Sequence, residues 1–160
     1  MGRVVIKLGW LLGCCLWLGT AGAAVHLPPF VLPAATDGAT VSSEVYKGRA
    51  MLITFFATWC APCLQEIPAL KAVQAQFQDQ GFSVVALSVD EGSAATVARL
   101  VRKAGINYQV LMADQTTLSN FGGIATIPTS FLVNKEGQVV KKYPGLVPRG
   151  LLERDIGSVL

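Results

Sequence analysis

Two cysteines stand three positions apart in the stretch TFFATWCAPCLQEIPAL (residues 54–70), directly after an apolar run. Thiols at this spacing suit three kinds of chemistry: metal coordination, a permanent cross-link, or reversible exchange between dithiol and disulfide. A structural zinc site needs four ligands, usually two such pairs or one pair with two histidines. The chain offers one histidine, His26, in a proline-rich stretch far from the cysteines, where it reads as an exposed arm residue. Metal binding is poorly supported on that ligand shortage. A cross-link over so short a loop removes little chain entropy, because that stabilisation grows only with the logarithm of loop length. Redox exchange is the reading with a mechanism.

That mechanism depends on where the helix starts. Leu64, Ile67, Leu70, Val73 and Phe77 recur at helical spacing until Gly81. Cys60 therefore stands at a helix N-terminus, where unpaired N–H groups and the helix dipole favour a thiolate. An acidified thiol is the better attacking group near neutral pH and the better leaving group when a mixed disulfide resolves. Cys63, one turn on, is close enough to attack that mixed disulfide and is expected to be more shielded and less acidic. Pro62 suits the first turn, where its missing N–H is no loss. Ala61-Pro62 adds neither charge nor histidine, so Cys60 is expected to be only moderately acidified, which favours a reductant over a strong oxidant.

The elements around this motif follow from periodicity. Residues 50–57, AMLITFFA, read as a strand buried on both faces of a sheet. Residues 82–90 read as a second buried strand, and 93–105 as a helix with Ser93 as cap and Gly105 as stop. Residues 108–112 form a strand, 116–121 a short helix and 130–133 a strand. Asn134 to Gln138 turns the chain into an antiparallel strand over 139–143, and 149–160 is helical. Upstream, Pro28, Pro29 and Pro33 predict an extended arm with a short edge strand. Asp37-Gly38 marks a hairpin turn leading to Thr40-Val41, and Ser42 or Ser43 caps one helical turn ending near Gly48. Strands alternating with helices and ending in a hairpin predict an α/β sheet with helices on both faces. The cysteines fall at the C-terminal edge of the buried strand, where open α/β sheets place their sites.

The 160 residues predict one domain, and 52% of them are apolar, partly because of the first 25. There Arg3 and Lys7 precede an apolar run from Leu8, and Ala21-Gly22-Ala23 offers an A-x-A cleavage site, the order of an export signal. Two competing readings are an uncleaved anchor, since residues 8–25 approach the length that spans a bilayer, and a lipidated Cys14. A cleaved signal over 1–23 is favoured, with an arm over 24–29 and the domain over 30–160. All three readings export the remainder. Without Arg3 and Lys7, the 13 basic residues fall to 11 against 10 acids, a net of +1. Pairs such as Arg102-Lys103 and Lys141-Lys142 are too short for a nucleic-acid stripe. Cys14 and Cys15 belong to the targeting segment, which leaves only Cys60 and Cys63 in the domain, not a disulfide framework.

FFATWCAPCLQEIP resembles the active site of thioredoxin-fold thiol–disulfide oxidoreductases of the TlpA/ResA/CcmG type, from about Phe30 to the C-terminus. GIATIPTSFLV (residues 123–133) is similar to the segment that bears that family's cis-proline. The resemblance implies a thioredoxin-like fold with a central mixed sheet, an N-terminal hairpin and an extra strand–helix block over 82–115. It places Pro128 and Ile127 beside the cysteines, with the Ile127 backbone pairing an extended substrate, and implies substrate contacts at Trp59, Ala61 and Pro62. Trp59 is expected first to shield the cysteines and pack on the sheet. Pro68 matches the proline of the family's active-site helix, and Gly122-Gly123 is expected to end the short helix. Where thioredoxin has a buried Asp, this chain has Thr54. Glu66, at i+3 from Cys63 and matched by the ResA-like branch, is the candidate proton acceptor; the alternative is an ordinary first-turn acid.

The resemblance further implies a redox disulfide Cys60–Cys63, no bound cofactor, an oxidised protein dithiol as substrate and a membrane electron donor of the DsbD/CcdA kind. Apocytochrome c or a copper-site assembly protein would fit as target. A peroxidase is disfavoured because Ala57 stands where peroxiredoxins need Thr. A periplasmic oxidant or isomerase, and a non-catalytic binding module, stay open as alternatives.

Overall fold

The computed structural model describes residues 24–160; the export-signal reading over 1–23, with Cys14 and Cys15, lies outside the described residues. β1 (Val31–Pro33) and β2 (Thr40–Ser42) form an antiparallel hairpin. Its turn is held where Asp37 Oδ1 accepts from the Ala39 N–H at 3.0 Å. Gly38 supplies the positive φ of 72° that other residues disfavour. Ser42 then caps a single 3-10 turn, its Oγ accepting from the Glu44 N–H.

β3 (Ala50–Phe56), β4 (Phe82–Ser88) and β5 (Gln109–Met112) are parallel neighbours. β6 (Thr129–Val133) runs antiparallel to β3, and β7 (Val139–Pro144) antiparallel to β6. The sheet order is β5-β4-β3-β6-β7, a thioredoxin-like arrangement. Every residue of the central β3 is buried. The reason is that both faces are covered. Leu52, Val84 and Leu132 pack against Leu70, Val73 and Phe77 of α1 (Ala61–Phe77) and Leu152 and Ile156 of α4 (Arg149–Gly157), while Phe56, Ala86 and Val110 pack against Val97 of α2 (Ala94–Ala104). On the other face Ile53, Phe55, Val85 and Phe131 meet Phe30 and Leu32 of the hairpin and Phe121, which follows α3 (Gln115–Asn120). Phe55 meets Phe121 and Phe131 edge-on, with ring centroids 5.0 and 6.1 Å away. Burial of each such side chain stabilises by about 1.5–3 kcal/mol.

Punctuation residues act where their chemistry predicts. Ser93 Oγ accepts from the Ala95 N–H, and Gly105, left-handed at φ 56°, closes α2. α1 ends as an α-helix at Phe77; the expected last turn to Gly81 tightens into a 3-10 turn, a common helix ending. The N-terminal arm is held rather than free: Val139 N–H donates to Val25 O at 2.7 Å and Leu27 N–H to Gly137 O at 2.9 Å. It is pinned at the end of the sheet remote from the cysteines. Among the described residues no helix is long and apolar enough to cross a membrane.

α4 is fixed to β7 by one carboxylate. Asp155 accepts from Lys141 Nζ at 2.6 Å and Tyr143 Oη at 2.8 Å, with Arg154 Nε at 3.1 Å. The bond from Lys141, with help from Tyr143 and Arg154, holds its pKa down to about 2 from the ordinary 3.8. A depressed folded-state pKa stabilises above the unfolded value and is lost as pH falls through the folded one. Urea midpoints should therefore drop between about pH 4 and pH 2, and Asp155→Asn should flatten that part of the curve. An unchanged curve in the variant would assign acid lability elsewhere.

Candidate active site

β3 is buried to its last residue, and the chain leaves the sheet there through Ala57, Thr58 and Trp59. Cys60 N–H donates to Ala57 O at 3.2 Å, which closes this turn. Cys60 is then the N-cap of α1: its backbone is extended, and its Sγ accepts from the Cys63 N–H at 3.3 Å. A sulfur in that position receives one of the helix's orphan donors, the arrangement that favours a thiolate. Pro62 lies in the first turn, as its ring requires, and Pro68 inside the helix. Cys60 and Cys63 form a disulfide with Cα atoms 5.3 Å apart. Both are buried, 6% and 3% exposed, so the expected contrast in shielding is small in the oxidised form.

Around this pair the predicted contact residues split by exposure. Ala61 and Pro62 are exposed on the first turn. Trp59 is 71% exposed, which corrects the expectation that it packs on the sheet and shields the cysteines. The physical reason is room: the space against Cys60 and Cys63 is filled by Ala35, Phe56, Ala57, Val97 and, from the opposite loop, Ile127. The Ile127–Pro128 bond is cis, and Pro128 O accepts from the Gly145 N–H at 2.8 Å. Gly122 and Gly123, at φ 82° and 74°, end α3 and begin the loop that brings Ile127 to the disulfide.

Glu66 lies beneath. It is 2% exposed, and its Oε1 accepts from the Val147 N–H at 3.0 Å. Burial pushes its carboxyl above the ordinary range, opposed in part by that hydrogen bond. An exposed first-turn acid would show neither feature. Glu66 and Cys63 line one small cavity together with Thr54, Phe56, Ala86 and Tyr108. Thr54 Oγ1 accepts from Ser130 Oγ at 2.9 Å, so a neutral hydroxyl pair fills the strand position where a carboxylate was the alternative. Burial also raises the Tyr108 phenol well above its ordinary value, and nearby Glu66 adds to the shift.

One group escaped the sequence reading. Asp90, just past β4, accepts from the Thr58 N–H at 2.9 Å, from Thr58 Oγ1 at 2.5 Å and from Ser88 Oγ at 2.7 Å. Thr58 and Asp90 are each unremarkable strand-end residues in sequence. Only the parallel register, with Phe56 opposite Ser88, brings positions 58 and 90 together.

The arrangement, a helix-capping thiol bonded to a second thiol one turn on, can exchange two electrons with another dithiol or disulfide. Comparison with known proteins agrees with that chemistry. The Redoxin family model matches residues 20–160. The thiol-disulfide oxidoreductase ResA of Bacillus subtilis (strain 168) is 31% identical over 125 residues, covering 78% of this chain and 69% of that protein. ResA of Bacillus anthracis is 29% identical over 117 residues, 73% of this chain and 67% of that one. Among solved structures, a thioredoxin-family thiol:disulfide interchange protein from Chlorobium tepidum TLS is similar with a TM-score of 0.80 and 33% identity, covering 86% of this chain and 97% of its own. A putative DsbE from Chlorobium tepidum is similar with a TM-score of 0.78 and 27% identity, over 85% and 96%.

Proposed function

We propose, from the premise that the chain belongs to the Redoxin family and is a thiol–disulfide oxidoreductase of the ResA and DsbE type, that it works outside the cytoplasm as a reductant of protein disulfides. The observation that carries the reading is Cys60 Sγ at the N-cap of α1, bonded to Cys63, with the buried Glu66 carboxylate on the Cys63 side.

The cycle runs as follows. The reduced Cys60 thiolate attacks one sulfur of a substrate disulfide, that bond breaks, and the departing sulfur takes up a proton. Cys63 then gives its proton to Glu66 and attacks Cys60 Sγ in the mixed disulfide. The second substrate thiol leaves, the Cys60–Cys63 disulfide forms, and two electrons have passed to the substrate. Glu66 is suited to the transfer because burial raises its proton affinity toward that of a thiol. Trp59, Ala61 and Pro62 form one wall of the contact surface. Ile127 and Pro128 form the other, where the Ile127 backbone pairs an extended substrate by strand addition.

Export rests on Arg3, Lys7, the apolar run and Ala21-Gly22-Ala23, with residues 1–23 as leader, 24–29 as arm and 30–160 as the domain. Export puts the domain in an oxidising compartment, so a reductant must be recharged across the membrane by a donor of the DsbD/CcdA kind. Apocytochrome c or a copper-site protein is the proposed target class. Equilibration of the Cys60–Cys63 pair with defined dithiothreitol or glutathione buffers tests the direction. A potential near about −270 mV or lower is expected for a reductant, whereas about −120 mV would mark a disulfide donor and reverse the assignment.

A further inference from the structure

We propose that Asp90 is the positioning residue for the nucleophile: its carboxylate locks the turn from Thr58 to Cys60 and so sets the capping geometry of the Cys60 sulfur. The inference rests on the reading of Cys60 as nucleophile.

Three donors converge on this one side chain. The Thr58 N–H and Oγ1–H come from the turn before the nucleophile, and the Ser88 Oγ–H comes from the end of the neighbouring strand. Ser88 is fully buried, and its Oγ also accepts from the Asp90 N–H at 3.2 Å, so the carboxylate is itself held in place. Thr58 is tied through both backbone and side chain, which leaves the turn little freedom. Two residues on, Cys60 must keep two contacts: its N–H on Ala57 O and its Sγ on the Cys63 N–H. Trp59 is exposed and adds no packing to the turn. Ala57 and Cys60 are held in the core at its two ends, and the carboxylate holds Thr58 between them.

Charge-assisted hydrogen bonds to a fixed anionic acceptor are the stronger kind, and loss of such a support displaces the group it positions. A looser turn weakens the donation from the Cys63 N–H to the Cys60 sulfur, and the thiolate loses stabilisation. Negative charge on Asp90 acts in the opposite sense, since removing it would favour the thiolate. The two effects are separable.

The experiment follows iodoacetamide alkylation of Cys60 against pH in the reduced Cys63→Ala background, for Asp90→Ala, Asp90→Asn and Thr58→Val. Positioning predicts that Asp90→Ala and Thr58→Val both raise the apparent thiol pKa and slow alkylation at pH 7 on the order of tenfold. Asp90→Asn keeps an acceptor for Thr58 and should stay at or below the parent pKa. A fall in pKa shared by both Asp90 variants with none in Thr58→Val would make Asp90 a charge effect only and overturn the proposal. Unmoved profiles in Asp90→Ala and Thr58→Val, whatever their melting temperatures, would overturn it too. If Asp90→Ala does not fold, Thr58→Val against Asp90→Asn decides alone. Alkylation needs no substrate, so a wrong substrate assignment would appear in disulfide reduction by the parent protein and leave this test intact.

Discussion

Cys63→Ser should turn the protein from a catalyst into a covalent trap. With Cys60 still capping α1, the reduced variant should attack an oxidised cysteine-pair peptide at close to the parent rate, because the Cys63 backbone N–H that supports the sulfur is unchanged. A serine hydroxyl cannot then displace the peptide. The mixed disulfide should accumulate at one peptide per chain, visible as a mass adduct that dithiothreitol removes. Cys60→Ser should form no adduct, and its turnover should fall by roughly 10³-fold or more, since a hydroxyl at that position supplies no thiolate. Equal trapping by both variants would mean that either cysteine can open the cycle, and the order of steps proposed above would fail. Full activity of Cys60→Ser in the cell would favour a binding module over an enzyme.

Which of the two cysteines caps α1 was legible in sequence because it depends on local structure alone. A buried-strand pattern that ends at Ala57, followed from Leu64 by apolar residues at helical spacing, fixes where the helix begins and which thiol caps it. Gly81, Gly105 and the cap Ser93 were readable for the same reason, and the first cap was narrowed to Ser42 or Ser43, of which Ser42 caps: a turn or a cap is decided within a few residues. Ile127 and Pro128 were not readable from periodicity. They came from resemblance, and only the antiparallel return of β6 beside β3 places their loop at the disulfide.

Long-range partners were out of reach. Sequence offers no reason to connect Asp90 with Thr58, or Glu66 with the backbone of Val147, 81 residues later. Trp59 shows the limit from the other side. A large apolar residue next to an active cysteine suggests packing, yet the core beside the cysteines is already filled by Val97, Phe56 and Ala35, and the indole is left in solvent. Volume available at a site is a property of the fold, not of the motif.

Glu66→Gln should slow the second half of the cycle and spare the first. Attack by Cys60 needs no base, so adduct formation should stay within about twofold of the parent, whereas loss of a general base should cost resolution roughly 10²-fold. The pH dependence should change with it. In the parent, resolution should rise with pH as Glu66 ionises, above the ordinary carboxyl range because burial raises its pKa. In the variant that rise should vanish, and resolution should await ionisation of the Cys63 thiol itself. Stability supplies an independent sign. A carboxyl raised in the folded state binds its proton more tightly there, so its contribution is complete below the unfolded value and declines as pH climbs through the folded one. Above that folded-state pKa the native protein carries a buried charge it would be more stable without. Glutamine keeps an oxygen for the Val147 N–H and carries no charge. The variant should match or exceed the parent in urea midpoint at pH 7, with the gap closing toward pH 4. Slower resolution joined to greater stability would identify Glu66 as a group kept for chemistry. Unchanged resolution would remove it from the mechanism, and a lower midpoint at pH 7 would make its carboxylate part of the scaffold.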